Sequence, residues 1–115
     1  IRDREYYFQE GCYILELSND AADSAVSIAR ARLEPGQVTR WHLLKQSAER
    51  YVIVSGLGVV EIADRRPQEV TPGDVVRIPP GCCQRIRNAG DDDLVFLAIC
   101  TPRFTPEDYT DLETM

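Results

Sequence analysis

Two glycine-bracketed blocks between residues 36 and 88 constrain the fold more than any other part of the chain. From Pro35 the first reads PGQVTRWHLLKQSAERYVIVSGLG, and from Pro72 the second reads PGDVVRIPPGCCQRIRN. Each opens on Pro-Gly, where proline presets φ at one turn position and glycine accepts a positive φ at the next. Gly56 ends an apolar run and opens a tight hairpin, and Asn88, followed by Ala89 and Gly90, marks another strand end. Around these turns lie short runs rich in β-branched, aromatic and other apolar residues, at 12–17, 26–33, 50–55, 59–62, 75–78 and 94–100. Turn-forming residues separate them at 19–20, 35–36, 56–58, 65–67, 72–74, 79–81 and 89–93. Many short strands at regular spacing predict an all-β sandwich or barrel. Only the C-terminal segment reads as helix. There Thr105, Pro106, Glu107 and Asp108 offer an N-cap, a proline at the first helical position and acid in the first turn, predicting a short helix over residues 106–112.

Bulk properties narrow the classes of function. The 115 residues suffice for a single domain with one core, spanning residues 1–115. Nineteen acidic against 13 basic side chains give a net charge of −6, which argues against nucleic-acid and membrane-surface partners. No apolar run is long enough to span a bilayer. The first 11 residues are charged and aromatic, unlike a signal peptide. Cys12, Cys82, Cys83 and Cys100 lack the spacing of a zinc site. They read as reduced thiols in a cytoplasmic protein, with a Cys12–Cys100 bridge left open.

The two blocks resemble the paired signature of the cupin superfamily, in the small single-domain form often likened to mannose-6-phosphate isomerase. Gly36, His42, Glu49 and Gly56 match the first motif at its spacing; Gly73, Pro79, Gly81 and Asn88 match the second. The resemblance implies a double-stranded β-helix, or jelly-roll barrel, with core motifs at residues 36–56 and 73–88. It also implies a metal site with four ligands. His42 and Glu49 occupy two of those positions, whereas Leu44 and Gln84 stand where histidines belong. His42 is the one histidine of the chain. No tightly held cofactor is therefore expected; a divalent Zn, Fe, Mn or Ni ion held weakly by His42, Glu49 and Gln84 stays open, since transition-metal sites usually take three good protein ligands.

Strand alternation then selects the inward residues. With His42 facing inward, Arg40 and Leu44 follow; with Glu49, so do Tyr51, Ile53 and Ser55; with Gln84, so do Ile86 and Asn88. The predicted cavity gathers Arg40, His42, Glu49, Tyr51 and Gln84 beside Leu44, Ile53 and Ile86, the mixture of polar and apolar groups found in small-molecule sites. A carboxylate buried without a cation is costly, so Arg40 is expected to pair with Glu49. Each residue also has a plain structural role open to it: His42 and Tyr51 as hydrogen-bonded core, Gln84 as a space-filler.

Three functions fit. The chain could bind a small anionic or sugar-like ligand. It could be an isomerase, epimerase or cyclase in which His42 or Glu49 is the base and Tyr51 the acid. It could be a structural or interaction protein whose barrel is filled by its own side chains. Apolar residues facing outward, Trp41, Leu43, Val52 and Val54, predict a homodimer.

Overall fold

A computed structural model describes residues 4–113; residues 1–3 and 114–115, the ends of the expected domain, lie outside the described residues. Among the described residues, eleven strands form two sheets. In chain order they are β1 Tyr6–Phe8, β2 Cys12–Ser18, β3 Ser27–Leu33, β4 His42–Leu44, β5 Ala48–Ser55, β6 Gly58–Ile62, β7 Gln68–Val70, β8 Val75–Ile78, β9 Gln84–Asn88, β10 Leu94–Thr101 and β11 Tyr109–Asp111. One sheet runs β1-β2-β3-β10-β5-β8 and the other β11-β4-β9-β6-β7, all neighbours antiparallel. This is the expected double-stranded β-helix.

The core is the inner face of both sheets. On β5 Glu49, Tyr51 and Ile53 are buried while Arg50 and Val54 are exposed; on β9 Gln84, Ile86 and Asn88 are buried and Arg87 is exposed. Tyr51 meets Phe96 with ring centroids 4.4 Å apart, and Leu33, Ile53, Ile86 and Leu94 complete the centre. Ser55 departs from the expected phase and is exposed, because the β5–β10 register slips between Val95 and Phe96. Such a bulge opposes two residues to one and turns the strand end outward.

Two motif residues act purely on the backbone. Gly56 has φ +92°, and a Cβ there would lie 2.6 Å from the Asp93 carbonyl oxygen and 2.8 Å from Leu94 Cα. The side chain of Asn88 donates to the carbonyls of Leu33 (2.9 Å) and Asp92 (2.8 Å) and accepts from Gly90 N–H (2.9 Å). It thus ties the end of β9 to β3 and to the following loop.

The C-terminal helix is shorter than expected. Pro106–Asp108 makes one 3-10 turn, and Thr105 gives it no side-chain cap. The Asp108 carboxylate instead accepts from the backbone N–H of Gln46 (2.7 Å) and Ser47 (3.0 Å). Residues that would have extended the helix pair with β4 as β11, and Leu112 N–H continues the contact to the Trp41 carbonyl. Tertiary pairing outweighs a weak local helix signal.

Candidate functional site

His42 opens β4 and is the direct cross-strand partner of Gln84, the first residue of β9. Directly opposed side chains on one face lie about 5 Å apart at Cβ. Glu49 and Tyr51 reach the same interior from β5 in the facing sheet. The structure brings these four sequence-predicted residues together, and all are buried.

Their hydrogen bonds run in one direction. Tyr51 Oη donates to Gln84 Oε1 (2.5 Å), and Gln84 Nε2 donates to Glu49 Oε1 (2.8 Å). The second Glu49 oxygen faces Cys100 Sγ at 3.8 Å. Gln84 thus fills the place of a ligand by acting as acceptor at one end and donor at the other.

His42 is fixed separately. Its Nδ1 lies 2.6 Å from the Arg40 carbonyl, which can only accept, so Nδ1 carries a proton. Nε2 faces Glu10 Oε1 at 3.6 Å, and the ring stacks on Tyr109 at 5.1 Å between centroids. Burial lowers the imidazole pKa below its usual value, opposed by the hydrogen bond to the Arg40 carbonyl and by the Glu49 and Asp111 charges.

Glu10 is the site residue that sequence reasoning missed. It lies in the turn between β1 and β2, far from both motifs in sequence. The turn closes over the barrel because Gly11, at φ +108°, lets it lie against Val38 and Thr39; a Cβ there would meet the Val38 carbonyl at 2.9 Å. The Glu10 carbonyl accepts from Arg40 N–H (2.7 Å). Its carboxyl then projects inward beside His42 and Cys12, with Cys12 Sγ 3.9 Å from Oε2. The available signal was only a Glu-Gly pair at a turn, which is too common to single out.

Arg40 does not pair with Glu49 as expected. Its Nε bonds Asp111 Oδ2 on β11 at 3.0 Å, and its side chain remains 38% exposed. The physical reason is that Arg40 precedes β4, so strand alternation does not govern where it points. Trp41 is likewise less bare than expected, since the Arg85 guanidinium lies over its ring at 4.6 Å. Cys12, Cys82, Cys83 and Cys100 are all free thiols.

Among the described residues, the interior therefore holds two carboxyls without a guanidinium. Burial pushes Glu10 up to about 7, opposed by the Cys12 contact. Burial, and then the neighbouring Glu10 charge, push Glu49 up to about 7. Burial also raises Cys12 and Tyr51, where both acids add to it. A cavity of about 60 Å³ opens beside the two acids, lined further by Phe8, Ala98, Cys100 and Phe104; of the five residues expected to line one cavity, Glu49 does so here, while Arg40, His42, Tyr51 and Gln84 lie outside its walls. It has room for a few water-sized groups. Toward the surface it reaches Tyr6 and Glu16, which hydrogen-bond each other at 3.2 Å.

These residues do not fit the metal that the motif implies. Leu44 offers no donor, the Gln84 amide oxygen is taken by Tyr51, and its amide nitrogen faces Glu49. Among the described residues no group of three or more His, Cys, Asp or Glu side chains is spaced to hold an ion. Likewise no helix among them is long and apolar enough to cross a membrane.

Comparison with known proteins agrees with the fold. The chain is 32% identical over 112 residues to an uncharacterized protein of Methanocaldococcus jannaschii, covering 96% of this chain and 89% of that one. It is 29% identical over 98 residues to a glucose-6-phosphate isomerase of Pyrococcus abyssi, covering 75% of this chain but only 52% of the isomerase. Among solved structures, an uncharacterized conserved protein with a double-stranded β-helix domain from Klebsiella pneumoniae superposes with a TM-score of 0.80 at 13% identity, covering 97% and 93% of the two chains. Residues 29–100 match the cupin domain model, and each of the two motifs contributes one strand to either sheet, β4 and β5 from the first and β8 and β9 from the second; the chain belongs to the cupin domain family.

Proposed function

We propose that the barrel interior binds a small ligand through its hydroxyl or ammonium groups, and that it disfavours anions. The observation that carries this reading is the pairing of Glu10 and Glu49 around one cavity while Arg40 is engaged by Asp111. Two carboxyls welcome hydrogen-bond donors and repel negative charge. Of the two ligand classes expected from sequence, this supports the sugar-like one through its hydroxyl edge, and not the anionic one. The cavity is small, so only an end group enters and the rest of the ligand passes Tyr6 toward the surface. The four free thiols support a reducing, cytoplasmic setting. Exposed Val54 and Val75 on the outer face of the β5–β8 pair support a homodimer.

Calorimetric titration with glycerol, ethanolamine and glycolate, three probes of similar size, tests the reading. Glycerol or ethanolamine should bind and glycolate should not, and Glu49→Gln should weaken the binding of ethanolamine most. Glycolate binding that survives Glu49→Gln would overturn it.

An isomerase-type activity is the second reading. It is favoured by two carboxyls raised to about 7, a range suited to proton transfer at neutral pH, and by the likeness to the Pyrococcus abyssi isomerase. Here Glu49 would exchange a proton with a substrate carbon or hydroxyl, with Glu10 as its partner.

A further inference from the structure

On the outside of the barrel, strand pairing creates a local electrostatic conflict. Arg50 on β5 and Arg77 on β8 are direct cross-strand partners, and both are exposed on the outer face. Like charges placed directly opposite destabilise a sheet. Arg65, from the loop after β6 in the other sheet, reaches the same place. The three line one hollow of about 390 Å³, whose remaining walls are Ile78, Pro79 and Glu49, with the Glu49 carboxyl turned into the barrel toward Gln84. β8 is the edge strand of its sheet, so the hollow sits on the open seam between the sheets.

Four other arginines of this acidic chain have carboxylate partners: Arg30 and Arg32 with Glu5, Arg40 with Asp111, Arg85 with Glu61. Among the described residues none lies within ion-pair distance of Arg50, Arg65 or Arg77. An adjoining hollow that shares Arg65 and Arg77 does carry Glu69 and Asp74, but the Asp74 carboxylate accepts from Thr71 N–H at 2.8 Å.

We propose that Arg50, Arg65 and Arg77 form a binding site for a phosphoryl group, outside the barrel and separate from its interior. Three guanidiniums call for more than one negative charge. Their planar forks match the several oxygens of a phosphate better than the two of a carboxylate. A bound dianion would also relieve the Arg50–Arg77 repulsion, so binding and stability should be linked.

The test is titration with inorganic phosphate and with glycerol 3-phosphate, against sodium chloride at matched ionic strength. Saturable binding of either phosphate is expected, with amide shifts at residues 50, 65 and 77–79 of the unsubstituted protein. Tighter binding of the ester would assign an esterified ligand, and equal binding the free ion. Arg77→Glu should weaken binding at least tenfold and raise Tm, because it sets an acid opposite Arg50. Arg87→Glu, at an exposed arginine on β9 outside the hollow, should change neither. The proposal fails if phosphate acts no differently from chloride, if the shifts fall only on interior residues, or if Arg77→Glu and Arg87→Glu behave alike.

Discussion

Replacing Glu49 by glutamine should stabilise this protein above neutral pH, the reverse of what removing a charged site residue from a metal cupin would do. The Glu49 carboxyl lies at about 7 in the folded protein against 4.5 for a free side chain. At about 1.4 kcal/mol per pH unit, ionising it in the barrel costs about 3 kcal/mol more than in the unfolded chain. Because the folded value is the raised one, this stability is complete below pH 4.5 and is lost as pH rises to about 7. The amide oxygen introduced by the substitution could still accept from Gln84, so the variant keeps the network without the ionisation cost. His42 acts in the opposite sense, since its lowered pKa costs stability as pH falls through its usual value of 6.5. Glu10 titrates beside Glu49 near 7, while Cys12, Cys100, Tyr51 and Tyr109 are raised and titrate above the window. The readout is therefore the difference between Glu49→Gln and the unsubstituted protein in urea unfolding from pH 4 to pH 8. That difference should grow from near zero to about 3 kcal/mol in favour of the variant. A variant less stable at pH 8, or a difference independent of pH, would refute the reasoning and indicate a cation held against Glu49.

Three further outcomes follow from the backbone and the surface. Gly56→Ala forces a Cβ against the Asp93 carbonyl at a positive φ, and should cost more than about 2 kcal/mol in chemical denaturation. Asn88→Ala removes three hydrogen bonds at a buried strand end and should cost about 2–4 kcal/mol; Asn88→Asp, which loses both donors, should not rescue it. Light scattering should return twice the 13.0 kDa chain mass, and Val54→Asp with Val75→Asp should return the monomer without changing the far-ultraviolet spectrum.

The barrel was legible because its turns are written in local chemistry. Pro35-Gly36, Gly56 and Pro72-Gly73 each declare a φ that few other residues adopt, and alternation on β5 and β9 then sorts Glu49, Tyr51, Gln84 and Ile86 to the inside. Legibility failed where position depends on distant partners. β4, β7 and β11 have three residues each, too few for alternation to show. The C-terminal segment carried a genuine helix signal that pairing with β4 overrode. An inward phase for Arg40 exists only on a strand, and Arg40 lies just before one. Glu10 enters the site through the packing of Gly11 on Val38, a contact without any sequence pattern. Its arrival makes the interior acidic, and with it changes the expected ligand.

The central claim is that side chains, not a metal, organise this cupin interior. The most direct measurement is elemental analysis by mass spectrometry of protein purified without chelator, combined with anomalous scattering around His42 in a crystal. The account predicts far less than one equivalent of Zn, Fe, Mn or Ni, with the Tyr51–Gln84–Glu49 hydrogen bonds intact. A stoichiometric metal between His42, Glu49 and Gln84 or Glu10 would contradict it.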